Sequence, residues 1–135
     1  PELARPGVSA VNAVTGEVLW SHVQENVCGE GRPFCDPGVS AAITATDGAV
    51  IAGHLDGIIR IYDRDSGEII WSYNTTTPVT GTNGVIARGG GMSGSGPALG
   101  AGHMVINSGY GLYNHEAGNA LLVFAPKASG SVSAR

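Results

Sequence analysis

Five polar side chains stand where apolar runs of the sequence end or are interrupted. Asn83 lies in GTNGV, Asn107, Ser108 and Tyr110 lie in NSGYG, and Arg60 interrupts GIIRIYD. Loops at the ends of strands are where β folds commonly place polar ligand contacts. We therefore take these five residues as the candidate binding set of the chain.

Three of the candidates also have a purely structural interpretation. Asn83 precedes a glycine, and Asn-Gly is a common turn pair. Tyr110 is equally compatible with an aromatic side chain at a sheet edge, with its hydroxyl bonded to a neighbour. A buried guanidinium needs a carboxylate partner, so a salt bridge from Arg60 to Asp56 or Asp63 explains its place in an apolar run.

The sequence contains none of the common catalytic or metal-binding arrangements. No serine sits in a G-x-S-x-G elbow. The run RGGGMSGSGP, which begins at Arg88, lacks the Lys-Ser/Thr ending of a phosphate-binding loop. No metal-ligand spacing relates the four histidines, which are His22, His54, His103 and His115. The catalytic residues therefore stay undefined, and no metal site is predicted.

The composition excludes several classes of function. The chain has 135 residues, of which 42% are hydrophobic and 13% charged, with 22 glycines and a net charge of −4. This is too apolar for a disordered chain and too rich in glycine for a helical bundle. The few basic residues are scattered, which argues against a nucleic-acid partner. No stretch reaches the roughly 18 to 20 apolar residues of a membrane span.

Two cysteines, Cys28 and Cys35, bracket the polar loop CGEGRPFC. Their even number and short spacing are compatible with one disulfide, which would indicate an oxidising compartment, periplasmic or extracellular. Two free thiols are the alternative that the sequence leaves open.

The chain is built from short apolar runs that alternate with turn signals. The runs are four to seven residues long and rich in β-branched and aromatic residues, as in AVIAGH, GIIRIYD and EIIWSY. Turn sequences such as TDG, LDG and DSG separate them. No window carries a helical apolar stripe with caps, so the pattern predicts an all-β fold.

One phrase occurs twice, as VNAVTGEVLW and as IYDRDSGEIIW, and each copy ends on one of the two tryptophans. Trp20 and Trp71 are 51 residues apart, a period expected of a propeller blade with an insertion. A third copy, GNALLVFAPKASG, aligns Phe124 with Tyr62 and places Ser129 and Gly130 opposite Ser66 and Gly67.

This repeat divides the chain into four-stranded units and connections. The predicted boundaries are residues 1–22 for the last two strands of one unit, 23–39 for the cysteine loop, 40–74 for a complete unit, 75–92 for a connecting loop, 93–125 for three strands of a final unit, and 126–135 for a flexible C-terminal tail.

The phrase from Ala10 to Trp20 resembles the tryptophan-docking repeat of quinoprotein-type β-propellers, and the copy that ends at Trp71 matches its second half. In that family the turn residues bond the backbone, and the tryptophan packs flat between neighbouring blades. The resemblance implies a segment of a β-propeller with about two to three four-stranded antiparallel blades. It also implies structural roles for Trp20, Trp71, Gly16, Gly67 and Asp63.

A narrower resemblance covers nearly the whole chain. The runs TNGV, GGGMSGSGP, VINSGYG and GNALLVF together resemble the C-terminal part of polyvinyl-alcohol dehydrogenase-like proteins, which use pyrroloquinoline quinone. The resemblance implies this quinone as cofactor, with calcium commonly beside it. Under it, the candidate quinone contacts are Asn83, Asn107, Ser108, Tyr110 and Arg60. The chain carries no CxxCH haem-attachment motif.

The resemblance implies part of a quinone-dependent alcohol dehydrogenase that is inactive as an isolated segment. The alternative is a non-catalytic propeller scaffold or interaction module, because the same fold carries many functions. In either case we expect the remaining blades to come from a longer parent chain, from other subunits or from self-association.

Overall fold

A computed structural model of the chain describes residues 5–110 and 113–127. All regular elements in these residues are β-strands, so the predicted all-β fold is confirmed. The strands are β1 (Gly7–Val11), β2 (Val18–Val23), β3 (Thr44–Ala45), β4 (Ala49–Gly53), β5 (Ile58–Asp63), β6 (Ile69–Asn74), β7 (Val79–Thr80), β8 (Ile86–Ala87), β9 (Ala98–Gly100), β10 (His103–Ser108) and β11 (Ala120–Phe124).

The strands form four antiparallel sheets that follow the order of the chain. A two-stranded sheet, β1-β2, is followed by a four-stranded sheet in the order β3-β4-β5-β6. The hairpin β7-β8 then precedes a three-stranded sheet in the order β11-β10-β9. Within each sheet, strands that are consecutive in sequence pair with each other, as in the blades of a propeller.

The two copies of the repeated phrase fold alike. In the first copy the Asn12 side chain accepts hydrogen bonds from two backbone amides, and the Asn12 carbonyl accepts one from Gly16. In the second copy the Asp63 side chain accepts from the amides of Asp65 and Ser66, and its carbonyl accepts one from Gly67. A register shift accompanies the turn in both hairpins. The sequence repeat is thus a structural repeat.

The two central strands of the four-stranded sheet, β4 and β5, are largely buried, because another sheet packs against each face of the sheet. Alternate residues of its strands point to opposite faces. On one face, Ile51 and Ile59 form an apolar cluster with Met104 and Ile106 of the three-stranded sheet and with Met92 of the segment before it. The other face packs on the two-stranded sheet through Val8, Val50, Ala52 and Tyr62.

Both tryptophans lie between adjacent sheets. Trp20 stacks on Tyr62 with ring centroids 6.4 Å apart, and its indole N–H donates to the Arg64 carbonyl at 2.7 Å. Trp71 meets Phe124 edge to face at 5.5 Å. Tyr62 and Phe124, which the sequence aligns, therefore each contact the tryptophan of the preceding blade. The tryptophan closes each phrase because it is the contact from one blade to the next.

Gly67 shows why the phrase contains a glycine. Its φ of 74° lies in the left-handed region, and a Cβ there would come within 2.5 Å of the Trp20 ring. Two independent constraints therefore require glycine at this position: the left-handed backbone of the turn and the close approach of the Trp20 indole.

The segments between the blades differ in part from the predicted division. Residues 75–92, predicted as a loop, contain the hairpin β7-β8. Its strands are two residues long, which is too short for a recognisable apolar pattern. Ser129, Gly130 and the predicted flexible tail beyond residue 127 lie outside the described residues. Among those that are described, no helix is long and apolar enough to cross a membrane.

Candidate functional site

Loops from three sheets meet at one end of the structure, which we call the loop end. It comprises the disulfide loop 28–35, the turn 54–57, residues 88–91 and residues 113–119. Backbone hydrogen bonds join three of them: the Glu116 amide donates to the Phe34 carbonyl, the Gly91 amide to Glu116, and the Asn119 amide to Arg88. The Leu55 amide of the turn 54–57 donates to the carbonyl of Gly38, which follows the disulfide loop. In an antiparallel sheet every second connection between strands lies at the same end of the sheet. Segments that are distant in sequence therefore come together there.

Arg60 forms a buried ion pair at the loop end. Its two terminal nitrogens donate to both carboxylate oxygens of Asp56, at 3.1 and 2.8 Å. The side chains of Arg60 and Asp56 are 5% and 0% exposed. Of the two carboxylates considered from the sequence, Asp56 is therefore the partner, and Asp63 is used in its own turn. A paired, buried guanidinium of this kind holds the turn 54–57 on the sheet.

His54 and Tyr62 form a second buried polar pair beside this salt bridge. The Tyr62 hydroxyl lies 3.0 Å from Nε2 of His54, and both residues are fully buried. Burial lowers the pKa of His54 to about 4, with a further contribution from the positive charge of Arg60. Burial also raises the pKa of Tyr62 to about 12. Both groups are therefore neutral at pH 7.

Ser108 joins strand β10 to the glycine-rich segment. Its hydroxyl lies 2.7 Å from the Thr75 hydroxyl, donates to the Gly90 carbonyl at 2.8 Å and accepts from the Gly90 amide at 3.0 Å. Ser108 is fully buried. Its hydrogen-bonding capacity is thus used inside the fold, where it fixes residues 89–91 against the sheet.

The other three predicted contacts are Asn83, Asn107 and Tyr110. Asn83 is exposed at the tip of the β7-β8 hairpin, where its side chain accepts from the Val85 amide at 3.1 Å, as in an Asn-Gly turn. Asn107 is partly buried and accepts from the Ser95 hydroxyl at 3.4 Å. Tyr110 is 57% exposed. None of the five predicted residues lines the cavity beside Arg32 and Glu116, and their role as ligand contacts stays a prediction.

A disulfide joins Cys28 and Cys35, so of the two alternatives for these cysteines the structure contains the bonded one. The closed loop carries Arg32 and Phe34. Arg32 reaches across the loop end, donating to the Asp56 carbonyl at 2.9 Å and to the carboxylate of Glu116. The disulfide therefore constrains the loop that presents Arg32.

Glu116 is the centre of a three-residue charge cluster. One of its carboxylate oxygens accepts from Nη2 of Arg88 at 2.6 Å, and the other accepts from Arg32. The carboxylate is 10% exposed, and the side chains of Arg32 and Arg88 are 27% and 46% exposed. Two guanidinium groups against one carboxylate leave the cluster with a net positive charge.

A cavity of about 290 Å³ lies against this cluster, lined by Arg32, Pro33, Phe34, Arg88 and Glu116 among others. The candidate set from the sequence did not include these charged residues. The available signal was weak: each stands alone among glycines, in GEGRPF, ARGGG and HEAG. Only the fold shows that they meet, since Arg32 and Glu116 are 84 residues apart.

Calcium has no evident place in the described residues, which contain no group of three or more His, Cys, Asp or Glu side chains able to hold a metal ion. The carboxylates at the loop end are already used. Asp56 pairs with Arg60, and Glu116 pairs with two arginines. Calcium prefers several carboxylate and carbonyl oxygens around one point.

The stacked antiparallel sheets, the repeated turns and the interposed tryptophans define the chain as consecutive blades of a β-propeller. A family model described as outer membrane protein assembly factor BamB matches residues 4–131. The chain therefore belongs to this PQQ_2 family of β-propeller repeat proteins.

Three curated proteins that are named as alcohol dehydrogenases are similar to this chain. The chain is 37% identical over 117 residues to polyvinylalcohol dehydrogenase of Sphingopyxis sp. (strain 113P3), with 84% of this chain and 18% of that protein covered. It is 34% identical over 131 residues to polyvinylalcohol dehydrogenase of a Pseudomonas species, with 90% and 20% covered. Quinohemoprotein alcohol dehydrogenase ADH IIB of Pseudomonas putida is 34% identical over 71 residues, with 53% and 10% covered. The chain thus spans about a fifth of the length of the first two relatives.

Proposed function

We propose that this chain forms blades of a quinone-dependent alcohol dehydrogenase, in which the complete ring oxidises alcohols and passes the electrons to the quinone. The observation that carries this proposal is the match to two polyvinylalcohol dehydrogenases over 84% and 90% of the chain. The docked tryptophans support the part of the proposal that concerns blades, because they reproduce the packing that the family resemblance implies for neighbouring blades. Following the names of these two relatives, the substrate class is polyvinyl alcohol and similar alcohols.

The residues of this chain fit the quinone only in part. A bound tricarboxylate needs open donors, yet both terminal nitrogens of Arg60 are bonded to Asp56 and Ser108 is bonded inside the fold. Arg60 and Ser108 are therefore not open to the carboxylates of a quinone. Tyr110 and Asn83, both exposed, stay candidate contacts. The blades described here supply the framework, and the walls of the quinone site come from around the ring.

The ring must be completed by other blades in this proposal. The chain covers 18% and 20% of its two polyvinylalcohol dehydrogenase relatives. In the described residues β1 pairs with β2 alone, and such a two-stranded sheet presents unpaired backbone groups at its edge. The missing blades come from a longer chain, from other subunits or from further copies of this one. An oxidising location, periplasmic or extracellular, agrees with the disulfide.

A non-catalytic scaffold is the second candidate function. The matching family model carries the description of an outer membrane assembly factor rather than an enzyme. The engagement of Arg60 and Ser108 within the fold also favours it. Under this alternative the loop end contacts other proteins, and no quinone is bound.

Quinone titration of the protein, purified in its native assembly state, separates the two candidates. The mass of that assembly is measured first by light scattering, and pyrroloquinoline quinone is then added while its absorbance and dye reduction with polyvinyl alcohol are followed. The dehydrogenase proposal predicts saturable quinone binding and alcohol-dependent dye reduction. If a complete ring binds no quinone, whether calcium is present or absent, the result supports the non-catalytic scaffold and contradicts the dehydrogenase proposal.

Two matched variants test the contribution of this chain. Tyr110→Phe removes one exposed hydroxyl, and Tyr113→Phe removes another from a side chain that is 86% exposed. If Tyr110 contacts the quinone, only the first variant weakens quinone binding. Equal affinities of the two variants would assign Tyr110 a structural role.

A further inference from the structure

The charge cluster of Arg32, Glu116 and Arg88 has more donors than the fold uses. The hydrogen bonds among the described residues use Nη2 of Arg32, and Nε and Nη2 of Arg88. A guanidinium carries five N–H groups, so each arginine keeps further donors. Both side chains are partly exposed, and both line the same cavity. The donors thus stand beside open space of about 290 Å³.

The walls of this cavity define the shape of a ligand. Pro33 and Phe34 line it together with the charges, and Phe34 is 59% exposed, so its ring is open to a ligand in the cavity. An aromatic or aliphatic body on Phe34 would gain apolar burial. A carboxylate on the same molecule would meet the guanidinium groups, which bind planar oxyanions in a bidentate way.

Glu116 already accepts hydrogen bonds from one donor nitrogen of each of the two arginines. Its carboxylate bridges both arginines, as a bound carboxylate would. The cluster keeps a net positive charge after this internal pairing, so it attracts a second anion. Glu116 then acts as an internal competitor that sets the affinity for ligand.

We propose that the cavity on the disulfide loop binds a small organic carboxylate with a flat apolar body, held by Arg32 and Arg88 and stacked on Phe34. This inference does not depend on the proposed dehydrogenase activity. The same carboxylate chemistry has two sources, a free metabolite-sized acid or the carboxylates of a quinone. The experiment below distinguishes them.

The test titrates benzoate into the protein in its native assembly by calorimetry at low ionic strength, with benzamide as the uncharged probe of equal shape. We expect saturable benzoate binding that weakens with added salt, and no comparable binding of benzamide. Arg88→Gln should lower benzoate affinity about tenfold, the effect of losing one charge-assisted hydrogen bond. Arg64→Gln, which makes the same charge change at a 50% exposed arginine elsewhere, should leave it unchanged.

Glu116→Gln should change the benzoate affinity in the opposite direction. It therefore tests the proposal even if the Arg88→Gln variant fails to fold. It keeps the size of the side chain but removes the competing charge, so benzoate should bind several-fold more tightly. A purely structural cluster predicts no gain. Equal binding of benzoate and benzamide, or an affinity that neither Arg88→Gln nor Glu116→Gln changes, would overturn the proposal. Competition between pyrroloquinoline quinone and benzoate assigns the cavity to quinone carboxylates, whereas independent binding assigns it to a free acid.

Discussion

Acidification from pH 7 to pH 4 should destabilise the protein through His54. The residue is fully buried, and its Nδ1 has no hydrogen-bond partner among the described residues. The groups that face it are Tyr62, Asp56, Arg60 and His22. Burial, the largest cause, lowers its pKa from 6.5 to about 4, so the unfolded chain binds a proton more tightly than the folded one. The stability that neutral His54 provides is complete above pH 6.5 and is lost as the pH falls toward 4.

The size of this loss follows from the two pKa values. A shift from 6.5 to about 4 corresponds to about 3 kcal/mol in total. By pH 5, which is still above the folded pKa, about 2 kcal/mol of it is lost. This is a large fraction of the stability of an ordinary domain. Urea unfolding followed by tryptophan fluorescence at pH 7, 6, 5 and 4 measures the loss in the native assembly.

A matched pair of variants isolates His54 from the carboxylates that also titrate. His54→Gln keeps a polar atom near the Tyr62 hydroxyl but removes the titrating ring, so its stability should fall about 2 kcal/mol less than that of the unmodified protein between pH 7 and pH 5. His103→Gln makes the same chemical change at an exposed position and is the matched control variant, whose unfolding is followed over the same pH range. Identical profiles for His54→Gln and the unmodified protein would refute the reasoning.

Two further predictions concern the blade contact and the disulfide loop. Gly67→Ala should destabilise the protein by about 1–3 kcal/mol more than Gly16→Ala in thermal or urea unfolding, because both glycines have positive φ but only the first lies against Trp20; equal losses would contradict the docking argument. Replacing Cys28 and Cys35 together with serine should cost about 2.5 kcal/mol, the chain entropy of closing a loop of about eight residues, and an unchanged melting temperature would contradict this estimate.

The fold was accessible from the sequence because its signals are local. The turn from Asn12 to Gly16 and the turn from Asp63 to Gly67 each contain an acceptor side chain, a glycine with positive φ and a following strand. Such patterns act over a few residues, so they can be read without knowing the rest of the chain. Trp20 could be placed between blades because the phrase as a whole resembles a known repeat. The hairpin β7-β8 gives no such signal, because two-residue strands have no period.

The candidate site was harder to predict because its chemistry depends on long-range contacts. Arg60 stood out as a charge in an apolar run, and a nearby Asp56 gave it a local partner. Arg32 and Glu116 gave no such signal, since their pairing depends on three sheets returning their loops to one end of the structure. The sequence alone does not show which residues a charged side chain in a glycine-rich loop will contact. The propeller explains this division: each blade is specified locally, whereas anything that binds at the loop end is assembled from residues of different blades.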